Sequence, residues 1–371
     1  YIIKGMKFTT EKSQIVDSLQ NAAAVAERRQ TIPILANVRI KALGESLEVT
    51  ATDLEIQIKT FSSLSKVEEE GETTVSARKM SELCRSLPDG EKVEFSLGNG
   101  KLTVSSKNFH ADFATISADD FPELEITEEQ SSMEVPSNTL KRILNKTSFS
   151  MASQDVRYYL NGLLLEINGK ELKGVATDGH RLALSKSTIK QNKIEFKSIL
   201  PRKAALELGK LLLPEEGPVT LSFGPSYVDV KTDTLNFSSK LIDGKYPDYE
   251  KVFPSGEPSP MIIGKETLQS ALSRASVLSN EKYRGVRFQL SKGALKLTAN
   301  NPEQESAEEI LEVKYDDSDL EVGFNIGYLI DVLGSLESEE VKFEFFGEDS
   351  SCVIKEPSSE KEVYVIMPMR L

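Results

Sequence analysis

Residues Met6–Ala22 read MKFTTEKSQIVDSLQNA, and the pattern returns as MEVPSNTLKRILNKTSF at Met133–Phe149 and MIIGKETLQSALSRASV at Met261–Val277. Successive copies start 127 and 128 residues apart. Each opens on Met, runs through a short extended stretch and enters a segment with Leu or Ile at helical spacing, as at Leu140, Ile143 and Leu144 or at Leu268 and Leu272. Ser137 and the threonines ahead of these runs fit helix caps. Working outward, each copy continues with paired strands around a Gly-containing turn: Pro33–Ile56, Tyr159–Ala183 and Tyr283–Glu305. A second short helix follows in VSARKMSELCRSLP, ILPRKAALELGKLLLP and FNIGYLIDVLGSLE, with Pro88 and Pro214 stopping two of them. More alternating strands close each copy.

The same elements in the same order, three times, define a repeat of about 120 residues. The fold class is therefore α+β, three tandem copies of a two-helix domain on antiparallel sheet. Boundaries fall in the Pro-containing connectors DDFPELE and DGKYPDYEKVFP, dividing the chain into 6–126, 127–255 and 256–371. Tyr1 to Gly5 precede the first Met of the pattern and take no part in the fold. Two helices cover one side of a sheet; the other is solvated or continues as a surface shared with neighbouring copies. Tandem copies suggest an arc, and two arcs joined head to tail close a ring.

With 371 residues, two or three domains can each bury a core. Apolar residues at 39% and charged residues at 28% argue against disorder. No apolar run approaches the ~20 residues of a membrane span, and no charged-then-apolar leader opens the sequence, so a cytoplasmic location is expected. Cys84 and Cys352, with His110 and His180, are too few for a disulfide framework or a zinc site, and neither metal nor cofactor is expected. The net charge of −13 speaks against a large nucleic-acid surface on the outside, because phosphate binding depends on Lys and Arg.

No phosphate-cradling glycine loop and no serine-nucleophile elbow occurs. LGNGK at 97–101 reads as an Asn-Gly hairpin turn, and Glu308-Glu309 and Glu339-Glu340 as solvated faces. Cys84, beside Leu83 and before Leu87, reads as a buried thiol. In TDGHR at 177–181, Asp178 orienting His180 as a base competes with a polar turn at a strand end. No nucleophile motif accompanies it. The expectation is a protein that is not an enzyme.

VATDGHRLA, QDVRYYLNG, LSNEKYRGVR, LTANNPEQESAEE, GFNIGYLIDVL and the terminal YVIMPMRL together resemble the bacterial DNA polymerase III beta subunit family, the replication sliding clamps. The resemblance runs from Met6 to Leu371 and implies the clamp fold: a head-to-tail homodimer of three-domain arcs closing a six-domain ring around duplex DNA, helices inside and sheets outside. It reconciles the charge, since only the inner wall must be basic and the contact must be free of base readout. DNA-binding candidates by resemblance are Arg29, Arg78, Lys79, Arg202 and Lys203, with Gln154, Tyr158 and Tyr159 near the channel mouth. Arg78-Lys79 and Arg202-Lys203 fall at the same point of the second helix in two repeats, where the third has Gly327 and Tyr328.

The family also holds a short peptide rich in Gln, Leu and Phe in an apolar cleft between the second and third domains. By resemblance that cleft comprises Leu160, Thr177, Gly179, His180, Arg181 and Leu182 from the second repeat, and Pro247, Lys251 and Val252 from the connector. Tyr328, Ser351, Val365, Met367, Met369 and Arg370 come from the third. Lys251 stands where the family commonly has Arg, replacing a planar fork with a point charge. The terminal apolar stretch could equally be a last core strand; both hold if alternate residues face opposite sides. Ring closure is implied for Ala111 and Phe113 against Val277, Leu278 and Gln304. The partners implied are duplex DNA, the polymerase III catalytic subunit, the clamp loader, translesion polymerases and mismatch-repair proteins. On residues alone, an acidic scaffold binding only proteins and a hydrolase using Asp178 and His180 remain alternatives.

Overall fold

The computed structural model describes residues 5–26, 32–124, 131–190, 193–215 and 217–370. Six helices are described, two per repeat: α1 (Lys12–Val25), α2 (Ala77–Ser86), α3 (Ser137–Thr147), α4 (Arg202–Leu211), α5 (Lys265–Val277) and α6 (Ile326–Ser335). Each buries one stripe and leaves the rest to solvent. In α1 the stripe is Ile15, Leu19, Ala22 and Val25; in α5 it is Leu268, Ala271, Leu272 and Ala275. In α6 it is Ile326, Leu329, Val332 and Leu333.

The threonines expected as caps do not cap. Thr9 and Thr10 lie in the strand Met6–Glu11, while Thr139 and Thr267 lie inside α3 and α5. The Ser137 hydroxyl donates to the Leu213 carbonyl at 2.7 Å instead of accepting from a helix N–H. The reason is that strand runs into helix without a loop, so the last strand residue already has the extended backbone that a cap requires. Glu11 occupies that position before α1, where its N–H donates to Gln14 Oε1 at 3.2 Å, and Gly264 occupies it before α5. Genuine side-chain caps occur at Ser76 and Asn325, which accept from the N–H groups of Lys79 and Tyr328.

The described residues divide into two compact units: one runs to Leu140 and includes Glu207–Leu241, the other combines Lys141–Leu206 with the chain from Ile242 onward. The middle repeat is thus shared between them, because its strands complete sheets begun in its neighbours. In the first unit an eight-stranded antiparallel sheet orders Ser131–Pro136, Pro218–Phe223, Tyr227–Lys231, Leu235–Lys240, Ile56–Ser63, Ser46–Thr52, Asn37–Leu43 and Gly71–Ser76. The join between repeats is the pairing of Leu235–Lys240 with Ile56–Ser63, where Phe237 faces Ile58. In the second unit the order is Glu195–Pro201, Gly162–Asn168, Glu171–Thr177, Arg181–Thr188, Glu362–Ile366, Cys352–Lys355, Glu340–Phe345 and Ser259–Gly264. Here the join is Arg181–Thr188 against Glu362–Ile366. Both joins are edge to edge, so each sheet continues in its own plane from one repeat into the next.

A five-stranded sheet in the first unit ends on Phe109–Ala114, and a four-stranded sheet in the second ends on Ser306–Glu312. The boundary at 126/127 lies outside the described residues, as do Tyr1 to Lys4, Arg29 and Leu371.

Helix packs closely on sheet at Gly174 in the strand Glu171–Thr177, where an added Cβ would clash with Ile143 Cγ2 of α3. Gly174→Ala should lower stability by about 1–3 kcal/mol through overpacking, read as a lower urea midpoint of the transition that includes this unit. An unchanged midpoint would show that the helix yields freely.

Candidate functional site

The join between the second and third repeats assembles the site. Leu182 stands opposite Val365 and Arg181 opposite Ile366; beyond the strands, the Met367 N–H donates to the His180 carbonyl at 2.9 Å and the Met369 N–H to the Gly323 carbonyl at 2.9 Å. Because side chains alternate along a strand, this register sorts the terminal residues onto two faces. Tyr364, Ile366, Ile354 and Ala183 belong to the core of the third repeat. Val365, Val353, Leu182 and Leu184 belong to a separate apolar cluster with Leu164, Val175, Ile199, Tyr246 and Tyr249. The tail is therefore a core strand whose alternate residues fill two separate apolar clusters.

That second cluster is edged by partly buried Tyr159, Ile242, Val252, Phe253, Phe346 and Val363. Met367, 41% exposed, leads away from it. Leu160 is buried, with its N–H on the Arg157 carbonyl at 2.8 Å. Pro247 is exposed between buried Tyr246 and Tyr249 on the connector. Lys251 is exposed and pairs with Asp248 at 3.0 Å. Ser351 directly precedes Cys352, which faces Ile366. Thus Thr177 to Leu182, the connector residues and the tail from Val365 meet at one join. Met369 and Arg370 lie further along, beside Gly323 and a neighbouring pocket.

The turn Thr177–Arg181 is held by its own side chains. The Asp178 carboxylate accepts from the His180 and Arg181 N–H groups at 2.9 and 3.0 Å, and Thr177 Oγ1 donates to the Arg181 carbonyl at 2.6 Å. Gly179 has φ +90°, in the left-handed region that glycine tolerates, and a Cβ there would sit 3.0 Å from Arg157 Nη2. Asp178 also receives the Arg181 side chain at 3.1 Å. Its carboxylate is thus spent on the turn and on Arg181, and its contact with His180 is to the backbone. Among the described residues no carboxylate hydrogen-bonds the imidazole, so the pair is not arranged as a carboxylate-oriented base.

Arg181 joins the two repeats. Beyond Asp178 it reaches Asp331 of α6 at 2.5 Å and the Phe149 carbonyl at 2.6 Å, while its guanidinium lies 4.4 Å from the centre of the Tyr328 ring. A planar fork can satisfy all of these at once; an ammonium cannot. Sequence reading missed Asp331, Arg157 and the aromatic wall of Tyr246 and Phe346. The aromatic pair flanking Pro247 in an otherwise polar connector was a usable signal for Tyr246, whereas Asp331 carries none.

The cations assigned to DNA fall at helix starts. Arg78 and Lys79 are exposed in the first turn of α2, Arg78 lying 3.6 Å from Glu82. Arg202 and Lys203 open α4, with Arg202 Nη1 donating to the Met151 carbonyl at 2.9 Å. Gln154, exposed with φ +59°, and Tyr158, 56% exposed, lie on the loop before Leu160. Tyr159, grouped with them by resemblance, is partly buried against the apolar cluster. Arg29 lies outside the described residues. At the candidate closing surfaces, Ala111 and Phe113 are half-buried on the edge strand Phe109–Ala114. Val277 is 77% exposed at the end of α5, Leu278 caps that helix and Gln304 has φ +67°.

Models of the DNA polymerase III beta subunit match three consecutive stretches: the N-terminal domain at residues 6–125, the central domain at 134–248 and the C-terminal domain at 250–370. The chain belongs to the DNA polymerase III beta subunit family. It is 43% identical over 367 residues to the beta sliding clamp of Pseudomonas aeruginosa, covering 99% of this chain and 100% of that one. It is 41% identical over 366 residues to that of Escherichia coli K12, with the same coverage. A crystal structure of the Pseudomonas aeruginosa clamp bound to griselimycin superposes with a TM-score of 0.95 at 43% identity, covering 99% of this chain and 100% of that one. As a sliding clamp, the chain is a processivity factor that tethers polymerase to DNA.

The loop before Leu160 is latched by Asp155, whose carboxyl falls to about 2 because the Arg157 side chain and then the Arg157 N–H bond it. A depressed carboxylate stabilises fully above its ordinary value of 3.8 and loses that effect as pH falls through the folded value. The latch should therefore persist at pH 3 and release toward pH 2. An NMR titration of the Asp155 carboxyl should give a midpoint near 2 that returns toward 3.8 in Arg157→Ala. A midpoint of 3.8 in the unmodified protein would rule the latch out.

Proposed function

We propose that two copies of this chain close head to tail around duplex DNA, and that partner proteins seat short peptides in the apolar cleft at the join of the second and third repeats. The domains are 6–126, 127–255 and 256–371. The observation that supports the reading is the sorting of alternate tail residues onto two faces, one filling the core of the third repeat and the other a second apolar cluster edged by partly buried Val252 and Phe346, with exposed Met367 following on the tail. Met and the aromatics give such a surface the adaptability to accept several peptides. The partners are the catalytic subunit of the polymerase, the clamp loader, translesion polymerases and mismatch-repair proteins, at work in the cytoplasm with the nucleoid. The clamp needs no chemistry of its own: tethering raises the local concentration of a weakly held partner to about the millimolar range.

For ring closure, the edge strand Phe109–Ala114 of one copy meets the third domain of the other at Val277, Leu278 and Gln304. Pairing removes an open edge that would otherwise invite aggregation, and it covers Val277. For DNA, Arg78, Lys79, Arg202 and Lys203 contact phosphates, with Gln154 and Tyr158 beside them. Cations at helix starts add to the helix dipole in attracting phosphate. Arg29 joins them from the resemblance.

Two measurements check this. Loaded protein should stay on circular DNA and leave linear DNA by its ends; equal loss from both would reject encirclement. Met367→Ala should weaken binding of a Gln-, Leu- and Phe-containing peptide by about 1 kcal/mol or more with retention on circular DNA intact. Loss of both together would place Met367 in the fold and not in the cleft.

A further inference from the structure

A pocket of about 760 Å³ in the first repeat contains none of the residues assigned above to DNA, to the peptide cleft or to ring closure. Its lining includes Lys41, Leu43, Glu70, Glu72, Ile116 and Asp119. We propose that it is a docking site for an extended basic segment of a partner protein, which adds as a short strand to the open sheet edge at Glu72.

Three features carry it. The first is the edge itself. Gly71–Ser76 is the last strand of its eight-stranded sheet and is paired on its inner side with Asn37–Leu43. On its outer side Thr74 exchanges both N–H···O bonds with Ile116, each at 3.2 Å. Backbone groups alternate between the two sides of a strand, so the N–H and C=O of Glu72 point outward as well. Among the described residues no strand meets them, because the chain leaves the edge at Ser117 and enters a single turn at Ala118–Asp120. A guest strand takes up the pairing that the chain drops there, and main-chain bonds of this kind hold a peptide whatever its sequence.

The second is charge, which selects the guest. Glu70, Glu72 and Asp119 are exposed in the lining, against the single ammonium of Lys41. Glu70 spends one oxygen on the Gly44 N–H at 2.8 Å, and the Glu72 carboxylate stands 3.8 Å from Arg39 Nε, beyond hydrogen-bond reach. These carboxylates keep acceptor capacity for Lys or Arg and repel phosphate and acidic segments.

The third is a fixed apolar component. Lys41 stands directly opposite Glu72, and Leu43, two residues on, shares their face with 56% of its surface exposed. Ile116 is half-buried beside them. A segment that alternates basic with apolar residues therefore finds carboxylates, an aliphatic wall and a free edge together. The frame is already set: the Gly44–Glu70 bond pins the hairpin that carries Leu43, and Gly71 packs on Gly5 too closely to admit a Cβ. Little ordering remains when a guest arrives.

The test uses the full chain and fluorescence anisotropy with a labelled eight-residue probe, Lys-Val-Arg-Val repeated twice. The probe should bind, and its Glu-Val counterpart should not. Glu70→Gln, Glu72→Gln and Asp119→Asn together should weaken the probe about five- to twentyfold, the effect of three exposed ion pairs. A control triple at exposed positions elsewhere, Glu257→Gln, Glu348→Gln and Asp349→Asn, should change it less than about twofold. Of two probes N-methylated at alternate residues, one should lose affinity about threefold or more, since one set of amides faces the edge. Leu43→Lys, on an exposed hairpin, should give a comparable loss and serves if the first triple unfolds. A probe that does not bind overturns the proposal. Equal losses from the two triples overturn it too, because the probe would then be reporting the net charge of the chain. So does full affinity in both methylated probes, which removes the strand addition, and so does displacement by an equal concentration of spermidine, which would make the pocket a site for small cations.

Discussion

Backbone pairing between Arg181–Thr188 and Glu362–Ile366 is the contact on which the rest of this site depends. Each repeat's strands form an open sheet, so the strands at its borders would carry unpaired N–H and C=O groups. Leaving such groups unmet is costly, and pairing them with the next repeat meets the cost with ordinary ladder bonds. The register that results decides the chemistry. A slip of one residue would exchange the two faces of the terminal strand, turning Tyr364 and Ile366 toward the second apolar cluster and Val365 into the core of the third repeat. The core could not take that exchange, since Tyr364 is fully buried with its hydroxyl bonded by Ser335 at 2.8 Å.

Arg181 acts at the same join in a different way. A largely buried cation is tolerable only when its donors are met, and here Asp178, Asp331 and the Phe149 carbonyl meet them, with Tyr328 against its face. It holds the turn that presents Gly179 and His180, and it ties that turn to α6. The turn resembles a catalytic cluster in composition and is a structural one in geometry: its carboxylate is committed to backbone N–H groups and to a guanidinium. The net charge of −13 yields to the same kind of accounting. Acids on strand faces pair with neighbouring cations, as Glu309 does with Arg274 and Glu308 with Lys296, while exposed Arg78 and Lys79 stand at the start of a helix.

Repeats, helices and hairpins were legible because they follow from local periodicity. Leu268 and Leu272 mark a helix face whatever lies opposite, and a Gly-containing turn between alternating stretches marks a hairpin. The family was legible too, since motifs such as VATDGHRLA and YVIMPMRL are long and ordered along the whole chain. Helix caps were misread where a strand passes straight into a helix, because the expected Ser or Thr had no loop in which to stand. Asp331 and Arg157 were invisible as site residues, being unremarkable charges whose links to the turn reach partners 150 and 21 residues away.

By itself, then, the sequence determined the three-fold repeat, the element order within each copy and the family, all properties carried by neighbouring residues along the chain. Tertiary structure alone decided that the middle repeat is shared between two compact units and that Val365 faces one buried apolar cluster while Tyr364 faces another. It also decided that Asp178 serves Arg181. These are outcomes of long-range strand pairing, whose register is chosen by which faces can be buried together, and no local pattern in either strand names its partner.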